Sequence, residues 1–283
     1  MIVNARKMLN QAKEGKYALA HFNINNLEWT KFILEECDRL NSPVILGVSE
    51  GAIKYMGGYN VVTSLVKSLY LDLDTKVPVC LHLDHGSSFE SCKKAIDSGF
   101  TSVMIDASKY DLEKNIEITK KVVEYAKKFD VTVEAEIGSI GGSEDDINTE
   151  LAYANVEDAI KLYKETNIDF LAPALGSVHG LYKGEPKLDF DKMKEISNKS
   201  NMPLVLHGGT GIYGEQIKKA IECGISKINI NTDLQIAWSN AVREFISIDE
   251  KEYDPRKIIG SGKEAVVEKI KEKIVLFGSN NKY

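Results

Sequence analysis

The chain has 283 residues, 43% of them hydrophobic and 28% charged, which is ample material for a large packed core, and no run approaches the length of a membrane span. A net charge of −6 and a pI near 5.5 argue against nucleic acid and anionic membrane as general partners, so an anionic ligand must be held by local groups. The four cysteines, Cys37, Cys80, Cys92 and Cys223, form no C-x-x-C pair and read as small core residues in a reducing, cytoplasmic setting.

An N-terminal helix ends at Gly15 and leads into a first short strand, Tyr17–Asn23. Asn25-Asn26 opens a helix in which Trp29, Ile33, Cys37 and Leu40 recur at helical spacing. The continuous apolar run Pro43–Ser49 is a strand covered on both faces, and a turn at Gly57-Gly58 precedes a helix through Val62, Leu65 and Leu69. The third strand alternates Val79, Leu81 and Leu83, then breaks into Asp84-His85-Gly86. Gly86 permits a sharp exit, and Ser87 or Ser88 caps a helix through Phe89, Cys92 and Ile96. Ser102–Ala107 is the fourth strand, followed by a helix that puts Leu112, Ile116, Thr119, Val123 and Ala126 on one face.

Val131–Gly138 is the fifth strand and runs into an acidic, Gly-rich loop, after which Val156–Glu165 is helical. The sixth strand, Asp169–Leu175, leaves through GSVHGLYKGEP, which is too polar for a core. A helix near Asp191–Asn198 precedes the seventh strand, Pro203–His207, and the turn GGTGI. The helix Glu215–Ile221 leads to the eighth strand, Lys227–Asn231, and to a helix from about Asp233 to Phe245. The tail carries Val266, Ile270 and Ile274 on one more amphipathic helix.

Eight alternations of strand and helix with short connections predict a (β/α)8 TIM barrel with additional C-terminal helices. Residues 1–283 read as a single barrel domain, with 253–283 as a C-terminal helical extension. An open doubly wound sheet of this length would be unusual and would lack a switch-point crevice.

In such a barrel the active site lies at the C-terminal ends of the strands. The polar residues there are Asn23, Ser49, Asp84 with His85, Asp106, Glu134 with Glu136, His179, His207 and Asn229. Three of the five histidines (His85, His179 and His207) fall just after strands three, six and seven, the ligand set of an open catalytic metal site. The competing reading is three separate catalytic or structural histidines. His21 and His82 are interior to strands and read as hydrogen-bonded core residues. Gly208, Gly209 and Thr210 after strand seven, with Asn229 through Thr232 at the end of strand eight, expose backbone N–H groups as an anion cradle at the usual phosphate position of this fold. In the loop after strand five, Gly141-Gly142 supply hinge-like freedom for the carboxylates at Glu144, Asp145 and Asp146, so a mobile loop could carry a base over the rim. The bland alternative is a solvated charge cluster.

HLDHGSS, MIDAS, EAEIG-x-x-GG, PALGSVHG-x-YKGEP, LVLHGGTG, KININ and YDPR, in this order and spread over essentially the whole chain, resemble the class II, metal-dependent fructose-bisphosphate aldolases. The likeness is strongest to the short bacterial branch, which includes tagatose-bisphosphate aldolases. The resemblance implies reversible cleavage of fructose 1,6-bisphosphate to dihydroxyacetone phosphate and glyceraldehyde 3-phosphate, or of the tagatose epimer, by a homodimer or homotetramer. It implies that His85, His179 and His207 bind a catalytic Zn²⁺ and that Asp106 and Glu136 contact a second or alternative metal position. Asp84 would act on the C4 hydroxyl, and Glu144, or Asp145 in its place, on the C3 proton. Gly180, Lys183, Gly208, Gly209, Thr210, Asn229, Ile230, Asn231 and Thr232 would hold the triose phosphate, with Asn23 and Ser49 nearby and a monovalent cation (Na⁺ or K⁺) assisting. Arg256 would reach the distal phosphate of a neighbouring subunit.

The alternative chemistry, an imine on a lysine, needs an inward strand lysine. Lys227 is the only strand lysine and reads as lying at the start of its strand. A phosphosugar isomerase or epimerase would share the phosphate cradle but would not need Asp84 beside His85 with two further rim histidines. A non-catalytic phosphosugar-binding protein would be expected to lack a ligand or Asp84.

Overall fold

The structure, a computed structural model, describes residues 1–144, 147–182 and 184–283, and within 143–144 and 147–149 it describes the backbone. In chain order the elements begin with α1 (Ala5–Glu14), β1 (Leu19–Asn23), α2 (Leu27–Arg39), β2 (Val44–Ser49), α3 (Glu50–Met56) and α4 (Tyr59–Asp72). They continue with β3 (Val79–Gly86), α5 (Phe89–Ser98), β4 (Ser102–Ile105), α6 (Leu112–Ala126), β5 (Thr132–Ile137), β6 (Gly141–Glu144) and β7 (Ile147–Thr149). Then come α7 (Val156–Thr166), β8 (Phe170–Pro173), β9 (Val178–His179), α8 (Phe190–Ser200), β10 (Leu204–Leu206), α9 (Gly214–Glu222) and β11 (Ile225–Ile230). The last three elements are α10 (Thr232–Ile248), α11 (Pro255–Gly260) and α12 (Lys263–Phe277). Among the described residues no helix is long and apolar enough to cross a membrane.

Eight strands close into a parallel barrel in the order β1-β11-β10-β8-β5-β4-β3-β2, as the eightfold alternation predicts. Capping side chains set the helix starts where the sequence puts Asn, Asp or Ser. Asn26 Oδ1 accepts from the Trp29 amide at 2.8 Å, Ser88 Oγ from the Ser91 amide at 3.2 Å, and Asp111 Oδ1 from the Lys114 amide at 2.9 Å. Around the barrel, α2, α4, α5, α6, α7, α8 and α9 follow one another, and α12 closes the ring between α9 and α2. α10, the helix that directly follows the eighth strand, packs outside α12 and fully buries only Leu234 and Val242. α12 buries Val266, Ile270, Ile274 and Phe277, so the segment after residue 253 supplies the ring's last helix.

Strand alternation divides the core. Ala20, Phe22, Leu46, Val48, Leu81 and Leu83 join the layer between barrel and helices. Leu19, Ile45, Cys80, Phe170 and Val205 face the barrel interior, where Ala5, Met8, Leu9 and Ala12 of α1 seal its N-terminal end. Two residues further along each strand, the same inward face carries His21, Gly47, His82, Ala172 and His207. The lower layer also admits Glu134 and Lys227, in register with Phe170 and Leu19, so polar groups reach below the rim.

Gly47 marks how closely that polar layer is packed. A Cβ at this position would lie 1.6 Å from His21 Nε2, so the His21 ring occupies the space a side chain would need. Gly47→Ala is therefore expected to lower stability by about 1–3 kcal/mol through overpacking, measured by urea unfolding. Unchanged stability would show that His21 can move at no cost.

Candidate active site

β3 solves a geometric problem that simple alternation cannot. Successive strand residues point to opposite faces, yet Asp84 and His85 are both needed at the rim. The β3–β4 ladder is irregular between Leu83 and Gly86, and His85 adopts a left-handed φ of 47°. This local bulge turns the chain so that consecutive side chains reach one site. Gly86 follows without a side chain, where a Cβ would meet the Met104 carbonyl at 2.6 Å.

Three rim histidines converge. His85 Nε2 lies 2.9 Å from His207 Nδ1, and His179 Nε2 lies 3.5 Å from the same atom. The outer nitrogens of two of these rings face carboxylates: His207 Nε2 is 2.8 Å from Glu134 Oε1, and His85 Nδ1 is 3.0 Å from Asp106 Oδ2. A ring N–H at either position donates to its carboxylate, and this orients the inner nitrogens of both rings toward the space shared with His179. His85, His179 and His207 each offer a ring nitrogen to one point, the three atoms lying within 4.8 Å of one another, a donor set that suits a divalent ion. Burial lowers the pKa of His207, and burial followed by repulsion from His85 and His207 lowers that of His179 well below its ordinary value. Both rings are thereby kept in the neutral form that ligates metal.

Beside this cluster Asp84 is almost wholly buried. Asn23 Nδ2 donates to its Oδ2 at 2.8 Å and Asn229 Nδ2 to its Oδ1 at 3.3 Å. His21 Nε2 stands 3.4 Å from Oδ2. Burial first, and then the charge of Lys227, push the His21 imidazole down to about 3, so Asp84 faces a neutral ring. Burial would raise Asp84, but His21 and then His85 and His207 outweigh it and hold the carboxyl well below its ordinary value, so it stands ionised beside the cluster.

Asp106 and Glu136 sit together on the other side of His85, with Glu136 Oε2 3.8 Å from His85 Nδ1. Burial would raise Asp106, but hydrogen bonds from His85 and Ser108 outweigh it and hold this carboxyl below its ordinary value. Glu136 goes the other way, raised well above its ordinary value by burial and then by Asp106. Its Oε1 accepts from the Ile140 amide at 3.2 Å, whereas its buried Oε2 has no hydrogen-bond partner among the described residues.

Residues 3–282 match the family described as fructose-bisphosphate aldolase class-II. The chain belongs to this family. It is 57% identical to a fructose-bisphosphate aldolase of Geobacillus stearothermophilus over 282 residues, covering 99% of this chain and 98% of that protein. It is 55% identical to one of Staphylococcus epidermidis, covering 99% of each. Among solved structures it superposes on the YdjI aldolase of Escherichia coli K12 with a TM-score of 0.88 at 34% identity, covering 100% of this chain and 99% of that one. A putative fructose-1,6-bisphosphate aldolase from Coccidioides immitis gives a TM-score of 0.87 at 27% identity, covering 99% and 97%. Class II aldolases are metal-dependent lyases acting on phosphosugars, and His85, His179 and His207 form a cluster able to hold the divalent ion that the family implies.

The remaining residues expected in this aldolase's site fall into three groups. Asn23, Ser49 and Asn231 line a cleft of about 590 Å³ shared with Trp29, Tyr55 and Gln235. Ser49, in register with Asp84 across β2 and β3, also accepts from the Ala52 amide at 3.2 Å as the cap of α3. Gly180, Gly208, Gly209, Thr210 and the stretch from Asn229 to Thr232 lie at the strand ends as expected. Gly208 has φ +63° and no room for a Cβ, which would meet the Val178 carbonyl at 2.1 Å. Tyr182 braces the two loops, donating to the Gly208 carbonyl at 3.0 Å and accepting from the Val178 amide at 3.1 Å. The third group stands apart. Arg256 on α11 is bonded to Asp254 Oδ2 at 2.7 Å with its side chain 88% exposed. Lys183, Asp145 and the side chain of Glu144 lie outside the described residues.

Two features depart from the reading of the sequence. The stretch after β5 is a hairpin of β6 and β7, and β6 pairs with β9, placing Gly142 opposite His179. Gly142 has φ +104°, and a Cβ there would lie 2.2 Å from the His179 carbonyl. This glycine therefore serves close approach of two backbones rather than a hinge. Lys227 lies within β11, not at its start. It shares the inward face with Asn229 two residues on, is wholly buried, and its Nζ is 2.8 Å from Glu134 Oε2. The parity of Lys227 with Asn229 was the signal that could have placed it inward.

Proposed function

We propose that this class II aldolase reversibly cleaves fructose 1,6-bisphosphate to dihydroxyacetone phosphate and glyceraldehyde 3-phosphate, with zinc held by His85, His179 and His207. The observation that carries the reading is the convergence of His85, His179 and His207, whose ligand atoms lie within 4.8 Å of one another, beside the buried carboxylate of Asp84. A divalent ion held by these three histidines would supply Lewis-acid stabilisation of the negative charge that develops as the carbon–carbon bond breaks. Asp84 takes the C4 hydroxyl proton in cleavage and returns it in condensation, with Asn23 and Asn229 holding both of its oxygens in place. Glu144 exchanges the C3 proton from the hairpin that β6 ties to the strand of His179.

Gly180, Lys183, Gly208, Gly209, Thr210 and the segment Asn229–Thr232 hold the triose phosphate, aided by a monovalent cation. The strand ends and the start of α10 offer backbone N–H groups to that anion. Asp106 and Glu136 provide a second or alternative metal position, which the orphaned Oε2 of Glu136 supports. Asn23 and Ser49, in the cleft that Asn231 also lines, stand beside the triose-phosphate half of the substrate. Arg256, exposed on α11, completes the site of a second subunit in a homodimer or homotetramer. The buried thiols of Cys37, Cys80 and Cys92 suit a cytoplasmic enzyme.

The two candidate ketohexose bisphosphates differ only at C4, the carbon Asp84 addresses. Relatives named fructose-bisphosphate aldolase at 57% and 55% identity favour the fructose epimer. The test is a cleavage assay on purified protein with each bisphosphate as substrate. A clear preference for fructose 1,6-bisphosphate in kcat/KM is expected, because hydrogen bonds to the aldehyde half can discriminate strongly. Equal or better use of the tagatose epimer would overturn the substrate assignment and leave the metal and the fold standing.

A further inference from the structure

Below the rim histidines the barrel carries charge that neither its core nor the proton transfers above require. Glu134 and Lys227 are both wholly buried. One oxygen of Glu134 is 2.8 Å from Lys227 Nζ, and the other is 2.8 Å from His207 Nε2. His82 Nε2 approaches the lysine-bound oxygen at 3.4 Å. Barrel interiors at this depth are ordinarily filled by branched apolar side chains. A buried ion pair is seldom more stabilising than apolar residues of the same volume. The pair is therefore better explained by what it does to His207 than by what it adds to the fold.

We propose that Lys227 is a positioning residue for the metal site, acting through Glu134 on His207. The inference rests on the reading of His85, His179 and His207 as metal ligands. The ammonium supplies the counter-charge that lets an ionised carboxylate stay in the barrel interior, where alone it would be held only at great cost. That carboxylate accepts a hydrogen bond from Nε2–H of His207, which favours the tautomer with its proton on Nε2 and fixes the ring plane so that Nδ1 faces His85 and His179. Each oxygen of Glu134 has its own main partner, so the chain Lys227–Glu134–His207 has one arrangement. β11 couples this support to the rest of the site. Two residues beyond Lys227, the Asn229 amide nitrogen lies 3.2 Å from His207 Nδ1 and 3.3 Å from Asp84 Oδ1. One strand thus sets both the buried counter-charge and the donor between ligand and base.

The experiment measures metal binding rather than turnover. Wild-type protein, Lys227→Met and the double variant Glu134→Gln/Lys227→Met compete for Zn²⁺ against a chromophoric chelator, and each is loaded with Co²⁺ for its absorption spectrum. Lys227→Met is expected to bind Zn²⁺ about 10–100-fold more weakly, the usual effect of losing a group that orients a ligand, with an altered Co²⁺ spectrum. The double variant removes both charges together, so it leaves no uncompensated buried ion and carries the test if the single variant does not fold. It is expected to retain the weakened affinity. Wild-type Zn²⁺ affinity in folded Lys227→Met, or in the double variant, would overturn the inference by showing that the pair serves the fold alone. Wild-type protein whose Zn²⁺ affinity equals that of His207→Ala would instead overturn the metal assignment itself.

Discussion

Replacing His207 with alanine is expected to abolish metal retention and to slow cleavage of fructose 1,6-bisphosphate by about 10³-fold or more. The ring supplies the nitrogen that faces both His85 at 2.9 Å and His179 at 3.5 Å, so its loss leaves two donors with no third to close the site. Lewis-acid stabilisation of developing charge amounts to several kcal/mol, and each 1.36 kcal/mol of barrier is about tenfold in rate. Chelation of the wild-type protein should reproduce the loss, and added Zn²⁺ should restore the wild type but not the variant. Full activity in a sample verified to be free of metal would sink the assignment, and trapping of substrate on a lysine by borohydride would replace it. The structure makes that alternative unattractive, since the inward strand lysine Lys227 is already paired with Glu134 at 2.8 Å.

Much of this site was legible before any coordinates because its chemistry sits where strands end. Histidines at residues 85, 179 and 207 each follow a run of apolar residues, and barrel geometry then forces them to one rim. Glu134 and Glu136, two apart, had to share a face. What could not be read were the departures from regular geometry. Alternation alone sends Asp84 and His85 to opposite faces, and only the left-handed conformation at His85 brings them together. The β6–β7–β9 sheet is built from Gly-rich polar sequence whose strand character comes from pairing with its partners rather than from intrinsic preference. Likewise α10 and α12 are both amphipathic, and nothing in their periodicity says which one packs into the ring.

Polar burial was the other blind spot. Lys227 in KININ resembles a lysine at the edge of a strand until the register places it opposite Leu19, with its side chain in the barrel. His21 fits only because residue 47 is glycine, a relation between two strands that neither segment reveals by itself. These features set the orientation of the rim histidines and of Asp84 rather than their identity. For that reason the histidine cluster could be read from the sequence while its support could not.

Asp84 allows the chemistry to be divided into steps. Asp84→Ala should depress cleavage by roughly 10²–10⁴-fold, the range for loss of an acid–base group. It should leave most of the exchange of the dihydroxyacetone phosphate C3 proton with solvent, because exchange requires no carbon–carbon bond to break. Glu144→Ala should cut both reactions, since the same proton is moved in each. The difference between the two variants is the informative quantity, as a general disturbance of the site would lower both reactions in both proteins. The surroundings of Asp84 suit it to the proposed step. Asn23 and Asn229 donate to its two oxygens at 2.8 and 3.3 Å, and the neutral His21 at 3.4 Å supplies no competing charge. Removing the carboxylate leaves those amides pointing into a small void, so the variant's fold is checked by unfolding midpoint and its Zn²⁺ content by direct assay. With fold and metal intact, equal loss of cleavage and exchange in Asp84→Ala would assign both proton transfers to Asp84. Normal exchange in Glu144→Ala would move the C3 base to Asp145 or another group.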